Sequence, residues 1–201
     1  MSGGSGIEKG LDWGEPSKVP TSVTVCHTDA EAADAPGPVV LTGGDLHRGL
    51  GRPTVRGVGE MSTLVHVDTM VCHVHTGEGV VTRRAVAHVV IGRILGRGRF
   101  AACLNSGFFG ELSLTPRSHP GDGRIEVIEF DATMRIRDRV MARRRAMTGS
   151  HVPHPAILTS ANNSWSAVRI GHESLRLDGM RIPRWHRLEI VVEPRSLPVH
   201  L

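Results

Sequence analysis

A chain of 201 residues, 39% hydrophobic and 22% charged, is long enough for one good-sized core and has the balance of a globular protein. Aromatic residues are only 3% with no tyrosine, so Val, Ile, Leu and Met must fill that core, and 24 glycines and 12 prolines favour short strands over long helices. A formal charge of +4 is mild, and without interleaved aromatics or a groove-reading motif no nucleic-acid partner is expected.

Residues 1–37 are rich in Gly, Ser, Pro, Asp and Glu without sustained periodicity, which predicts a flexible arm ahead of a domain over 38–201. Early charges and the lack of an apolar core argue against a secretory leader. The most apolar run, 85–95, is broken by His88 and Arg93 and is too short to span a bilayer. Cys26, Cys72 and Cys103 have no CxxC spacing, so reduced thiols in a cytoplasmic protein are expected.

Residues 39–41 suit a short strand, and the following TGGDLHRGLG reads as a Gly-rich turn and one helical turn capped by Thr42 or Asp45. It lacks the spacing of a P-loop or of GxGxxG. From Ser62 the pattern becomes β, with strands over 64–74, 80–81, 84–91, 99–104, 111–114 and 124–130. His66, His73 and His75 read as half-buried histidines on a strand rather than as a zinc site.

A helix follows, capped by Asp131 or Thr133 and ended by Gly149, with Ile136, Val140 and Met147 as its apolar stripe. Arg135, Arg139 and Arg143 then align at i, i+4 and i+8, giving a basic face suited to anionic lipid headgroups or to water. His151 and His154 lie in a Pro-stiffened loop just beyond, where imidazoles can bind phosphate. Strands over 156–160, 166–170, 174–177, 187–192 and 197–200 complete a mainly β chain: an antiparallel β-sandwich with one basic helix. No nucleophile motif is present.

Three segments in order carry a family resemblance: NSGFFGELSLTPRSHPGDGRIEV from Asn105, TGSHVPHP from Thr148, and LRLDGM from Leu175. Together they resemble the C-terminal domain of the bacterial diacylglycerol kinase-like lipid kinases, relatives of sphingosine kinases in the NAD-kinase-like superfamily. The resemblance implies a lipid-binding β-sandwich that works beside a nucleotide-binding domain carrying GGDGT. It implies that Asp122 belongs to a loop holding a structural Mg²⁺, although Gly121 replaces the first Asp of the family's pair, and that Asp178 belongs to the site. The acidic residue of the family's DGE is Met180 here, and a thioether cannot take a proton from a lipid hydroxyl.

The resulting expectation is a catalytically incomplete homologue of the lipid-kinase C-terminal domain. It would bind a lipid, a phosphorylated ligand or a partner through Arg135, Arg139, Arg143, His151, His154 and Asp178, peripherally at an anionic membrane surface. Two alternatives stand beside it. One is half of a split kinase whose ATP-binding domain is a separate chain, and the other is a structural protein-interaction module. A homo-oligomer is compatible with each.

Overall fold

The computed structural model describes residues 13–201. The chain opens with β1 (Gly14–Lys18), β2 (Thr24–Cys26), α1 (Asp29–Asp34), β3 (Val39–Leu41) and α2 (Gly44–Gly49). The long strand β4 (Met61–Thr76) is followed by β5 (Gly79–Ala85), β6 (His88–Ile91), β7 (Phe100–Leu104), β8 (Phe108–Phe109) and β9 (Leu112–Ser113). Then come β10 (Ile125–Phe130), α3 (Ile136–Ala146), β11 (Ile157–Asn162), β12 (Ser164–Val168), β13 (Leu175–Leu177), β14 (Met180–Ile182) and a second long strand, β15 (Trp185–His200).

β4 and β15 pair antiparallel along most of their length and form the spine of a seven-stranded sheet ordered β1-β4-β15-β3-β2, with β5 on β4 and β12 on β15. A six-stranded sheet, β11-β10-β7-β6-β13-β14, packs against it. Alternation puts Met70, Cys72 and Val74 of β4 and Leu188, Ile190 and Val192 of β15 between the sheets, against Ala101, Cys103, Ile125, Val127 and Leu175. Trp185 closes this core, with its indole N–H donating to the Glu173 carbonyl at 3.0 Å. α3 covers the outer face of the six-stranded sheet through Ala142 and Ala146 against Phe100, Leu104, Ile128 and Phe130. The architecture is the mainly β sandwich with one dominant helix that the sequence suggests.

Residues 13–37 differ from the expected flexible arm, while residues 1–12 lie outside the described residues. β1 pairs with β4, β2 runs parallel to β3, and β3 runs parallel to β15. Parallel strands need a crossover, and α1 supplies it, N-capped by Thr28, whose hydroxyl accepts from Glu31 N at 3.2 Å. The order β2–α1–β3–α2 is therefore a small α/β unit, with its own core of Cys26, Ala32, Val39, Leu41 and Leu46 against Val65 and Val199. Its elements are three to six residues long and are stabilised by distant pairing, so local periodicity does not announce them.

The strand expected over 84–91 is interrupted at Val86 and Ala87, and β14 was not anticipated. The strands expected over 187–192 and 197–200 are one strand with a register shift between Glu193 and Leu197, where Arg195 has φ +53°. α3 is turned relative to the expected stripe: Arg139, Ala142 and Ala146 are buried, whereas Ile136 and Met147 are 44% and 60% exposed. Asp131 caps the turn before the helix, accepting from Thr133 N at 2.7 Å, and Arg135 occupies the N-cap position.

Candidate functional site

The Gly-rich turn sits at the C-terminal end of the parallel strand β3, and α2 begins immediately after it. Gly44, at φ +92°, faces the Asp29 carboxylate so closely that a β-carbon would lie 2.3 Å from Asp29 Oδ1. That opening lets Asp29, at the start of α1, accept from Asp45 N at 2.6 Å and Leu46 N at 3.0 Å. Asp45 in turn accepts from Gly110 N at 2.8 Å. The turn is thus more than the ordinary helix cap the sequence suggests, because it fixes two carboxylates beside the six-stranded sheet.

His88 opens β6 directly opposite. Its ring lies edge-on to Phe109 at 5.1 Å and is 6% exposed. His88 Nδ1 is 3.6 Å from Asp45 Oδ2 and 3.9 Å from Asp178 Oδ1, and no group donates to it or accepts from it. One ligand atom from each of Asp29, Asp45 and His88 lies within 4.8 Å of the others, an arrangement that could hold a metal ion. Burial pushes the Asp29 carboxyl up and the His88 imidazole down from their ordinary values.

Asp178 and Gly179 form the two-residue turn between β13 and β14, with φ +46° and +85°, the conformation that favours Asp-Gly. The Asp178 carboxylate folds back onto the break between β5 and β6. It accepts from Val86 N at 2.7 Å, Ala87 N at 3.1 Å and His88 N at 2.8 Å. Those amides leave the strand ladder to reach it, which explains the interruption. Burial pushes the Asp178 carboxyl up to about 7 despite the three N–H donors. With a side chain only 2% exposed, Asp178 anchors the fold rather than meeting a ligand from solvent, a correction to its expected role. The cavity beside it, bordered by Arg84 and Met180, holds only about 70 Å³. Met180 is 59% exposed.

A larger open groove of about 870 Å³ lies between the β4–β5 turn and the β14–β15 turn. Val81 and Ile182 contribute apolar surface, and Arg83, Arg169 and Arg184 contribute positive charge. Arg169 Nη1 donates to the Trp185 carbonyl at 3.3 Å, while its Nε is buried without a partner. Arg184 meets Glu78 at 3.5 Å with both side chains 84% exposed, so the pair competes with water and leaves the guanidinium available.

Three solved structures share this arrangement of sheets. A diacylglycerol kinase from Bacillus anthracis str. Sterne is 11% identical, with a TM-score of 0.54 over 81% of this chain and 66% of its own. Two putative diacylglycerol kinases from the same organism are 9% identical, with TM-scores of 0.54 and 0.55, covering 81% and 88% of this chain and 68% and 75% of theirs. The chain has a lipid-kinase-like fold. No protein-family model and no curated protein sequence matches it.

The expected binding residues do not come together. Arg139 is fully buried and donates through Nε to the Met134 carbonyl and through Nη2 to those of Gly98 and Asp131, beneath the Phe130 ring. The continuous basic face is therefore broken, with Arg135 and Arg143 exposed on either side. His151 is buried, and burial pushes its imidazole down. His154 Nδ1 accepts from Ala156 N at 3.1 Å within its own turn. Asp122 accepts from Arg124 N at 3.0 Å beside buried Asp68, whose carboxylate accepts from Gly123 N and Arg195 N. Burial and the neighbouring Asp122 charge push the Asp68 carboxyl up. Gly121 has a packing reason, since a β-carbon there would lie 2.6 Å from Trp13 Nε1.

His88 and Asp29 are missed by sequence reasoning. His88 is hidden in an apolar run and Asp29 in the segment taken for an arm. The β–α–β spacing around the GGD turn is a signal that could have found Asp29; His88, on the other sheet, has none in its own segment.

Proposed function

We propose that this chain is a catalytically incomplete protein of lipid-kinase-like fold that binds a phosphorylated or otherwise anionic lipid. The observation that carries the reading is the groove in which Arg83, Arg169 and Arg184 surround the apolar Val81 and Ile182. Arginine forks suit phosphate oxygens, and the buried Nε of Arg169 lacks an acceptor that such an oxygen would supply. Its volume falls in the range of ordinary small-molecule sites. Among the described residues no helix is long and apolar enough to cross a membrane.

Inactivity follows from chemistry at the β13–β14 turn. Met180 offers no base, and Asp178 is committed to three backbone amides. A structural Mg²⁺ at the 121–123 loop fits the oxygen donors there. Asp122 and Asp68 would hold it and would balance a partly buried pair of like charges.

A second reading, half of a split ATP-dependent kinase, is favoured by one feature. Among the described residues β2 ends the seven-stranded sheet with no strand on its outer edge, and Val25 is 49% exposed there. Further parallel strands from a nucleotide-binding chain could continue the sheet at that edge. Mass spectrometry of material co-purifying from the native host distinguishes the two. A phospholipid in stoichiometric amount supports the binding reading. A stoichiometric nucleotide-binding protein supports the split enzyme, and neither would count against both.

A further inference from the structure

We propose that Asp29, Asp45 and His88 form a binding site for a divalent metal ion of the zinc class. The site is separate from the basic groove and does not depend on what that groove binds.

The argument starts from an unpaired atom. His88 Nδ1 is buried, has no hydrogen-bond partner, and points between two carboxylates at 3.6 and 3.9 Å, too far for hydrogen bonds. A ring nitrogen in that position usually costs free energy unless something accepts its lone pair or its proton. A cation at the centre would use the lone pair. For metal–ligand bonds of ~2.0–2.1 Å, neighbouring ligand atoms of a tetrahedron lie roughly 3.3–3.4 Å apart, close to the separation from His88 Nδ1 to Asp45 Oδ2. One ligand atom from each of Asp29, Asp45 and His88 lies within 4.8 Å of the others, so small side-chain movements bring the three to bonding distance.

Charge argues the same way. Three carboxylates converge, yet among the described residues no arginine or lysine forms an ion pair with Asp29, Asp45 or Asp178. Each carboxylate is instead held by backbone amides: Asp29 by Asp45 and Leu46, Asp45 by Gly110, and Asp178 by the 86–88 break. At Asp29 and Asp45 each bonded oxygen accepts a single N–H, which orients it and leaves it a second lone pair, as the outer shell of a metal site does. The imidazole selects the ion, because Mg²⁺ and Ca²⁺ take oxygen ligands while zinc-class ions accept nitrogen and oxygen together.

The test uses the full chain after chelation and dialysis. Co²⁺ is titrated in as a spectroscopic stand-in, and retained Zn²⁺ is counted by elemental analysis after gel filtration. One equivalent of Zn²⁺ is expected, with visible bands for Co²⁺ that Zn²⁺ abolishes and excess Mg²⁺ does not. His88→Gln should weaken binding by ~100-fold or more, at or beyond what loss of an outer-shell partner costs. His73→Gln, on the spine strand β4 and outside the cluster, should leave it unchanged. Circular dichroism of the metal-free variants checks that they fold, and Asp45→Asn provides a second ligand variant. Retention of no metal by the wild type, equal binding by folded His88→Gln, or displacement by Mg²⁺ would each overturn the assignment.

Discussion

Truncating Arg139 separates a structural arginine from a ligand-binding one. Its guanidinium is fully buried and serves three carbonyls, Met134 at 3.2 Å, Asp131 at 2.8 Å and Gly98, of which Asp131 also accepts from Met134 N at 3.1 Å. These bonds tie the start of α3 to the strand end at Asp131 and to the turn at Gly98. Arg139→Ala leaves two acceptors, the Met134 and Gly98 carbonyls, to find water, at ~1 kcal/mol each or more, and removes about three buried methylenes worth ~0.8 kcal/mol each. Relief from desolving the charge offsets part of that, since burial already pushes the Arg139 guanidinium down from its ordinary value. The expected net loss is about 3 kcal/mol, a large fraction of the ~5–15 kcal/mol typical of a domain. Arg143→Ala, on the exposed side of the same helix, should stay within ~0.5 kcal/mol. Urea denaturation followed by far-UV circular dichroism measures both. Equal midpoints for Arg139→Ala and the wild type would refute the buried placement and restore the continuous basic face.

Burial pushes the His200 imidazole down, with Ser62 Oγ at 2.8 Å from its Nδ1. Its neutral form therefore stabilises the fold above about pH 6.5, and that contribution is lost as pH falls. Between pH 7 and 5, His200→Gln should flatten the stability profile by up to ~1.4 kcal/mol per pH unit, read from melts in buffers of matched ionic strength. An unchanged slope would contradict the burial. All three thiols are buried, and burial pushes each of them up, so a disulfide reagent at pH 8 should modify none until urea unfolds the chain. Rapid modification of the folded protein would place a cysteine at the surface. The purified chain should transfer no phosphate from ATP to diacylglycerol in mixed micelles, and turnover would refute the inactivity argued from Met180. Met180→Glu should change stability by no more than ~0.5 kcal/mol, given its exposure.

The sandwich was legible where strands pack one face against a core. In β4, alternate residues Met70, Cys72 and Val74 carry a period of two, and β10 shows the same less regularly. β1, β2 and α1 were illegible because their stability comes from β4 and β3, far along the chain. The face of α3 misled because its buried side is Arg139 with two alanines, while its larger apolar residues Ile136 and Met147 face solvent. Asp178 was found through resemblance to a family. Its grip on three amides could not be, since it depends on the 86–88 segment ninety residues away. The basic groove escaped for the same reason: Arg83, Arg169 and Arg184 come from separate elements that only the fold brings together.

Flotation with vesicles of phosphatidylcholine, with and without phosphatidic acid, tests the proposed function most directly. The wild-type chain should float only with phosphatidic acid, and Arg169→Glu combined with Arg184→Glu should abolish this while the protein stays folded. Flotation unaffected by those two charge reversals, or no flotation at all, would contradict the groove as an anionic-lipid site.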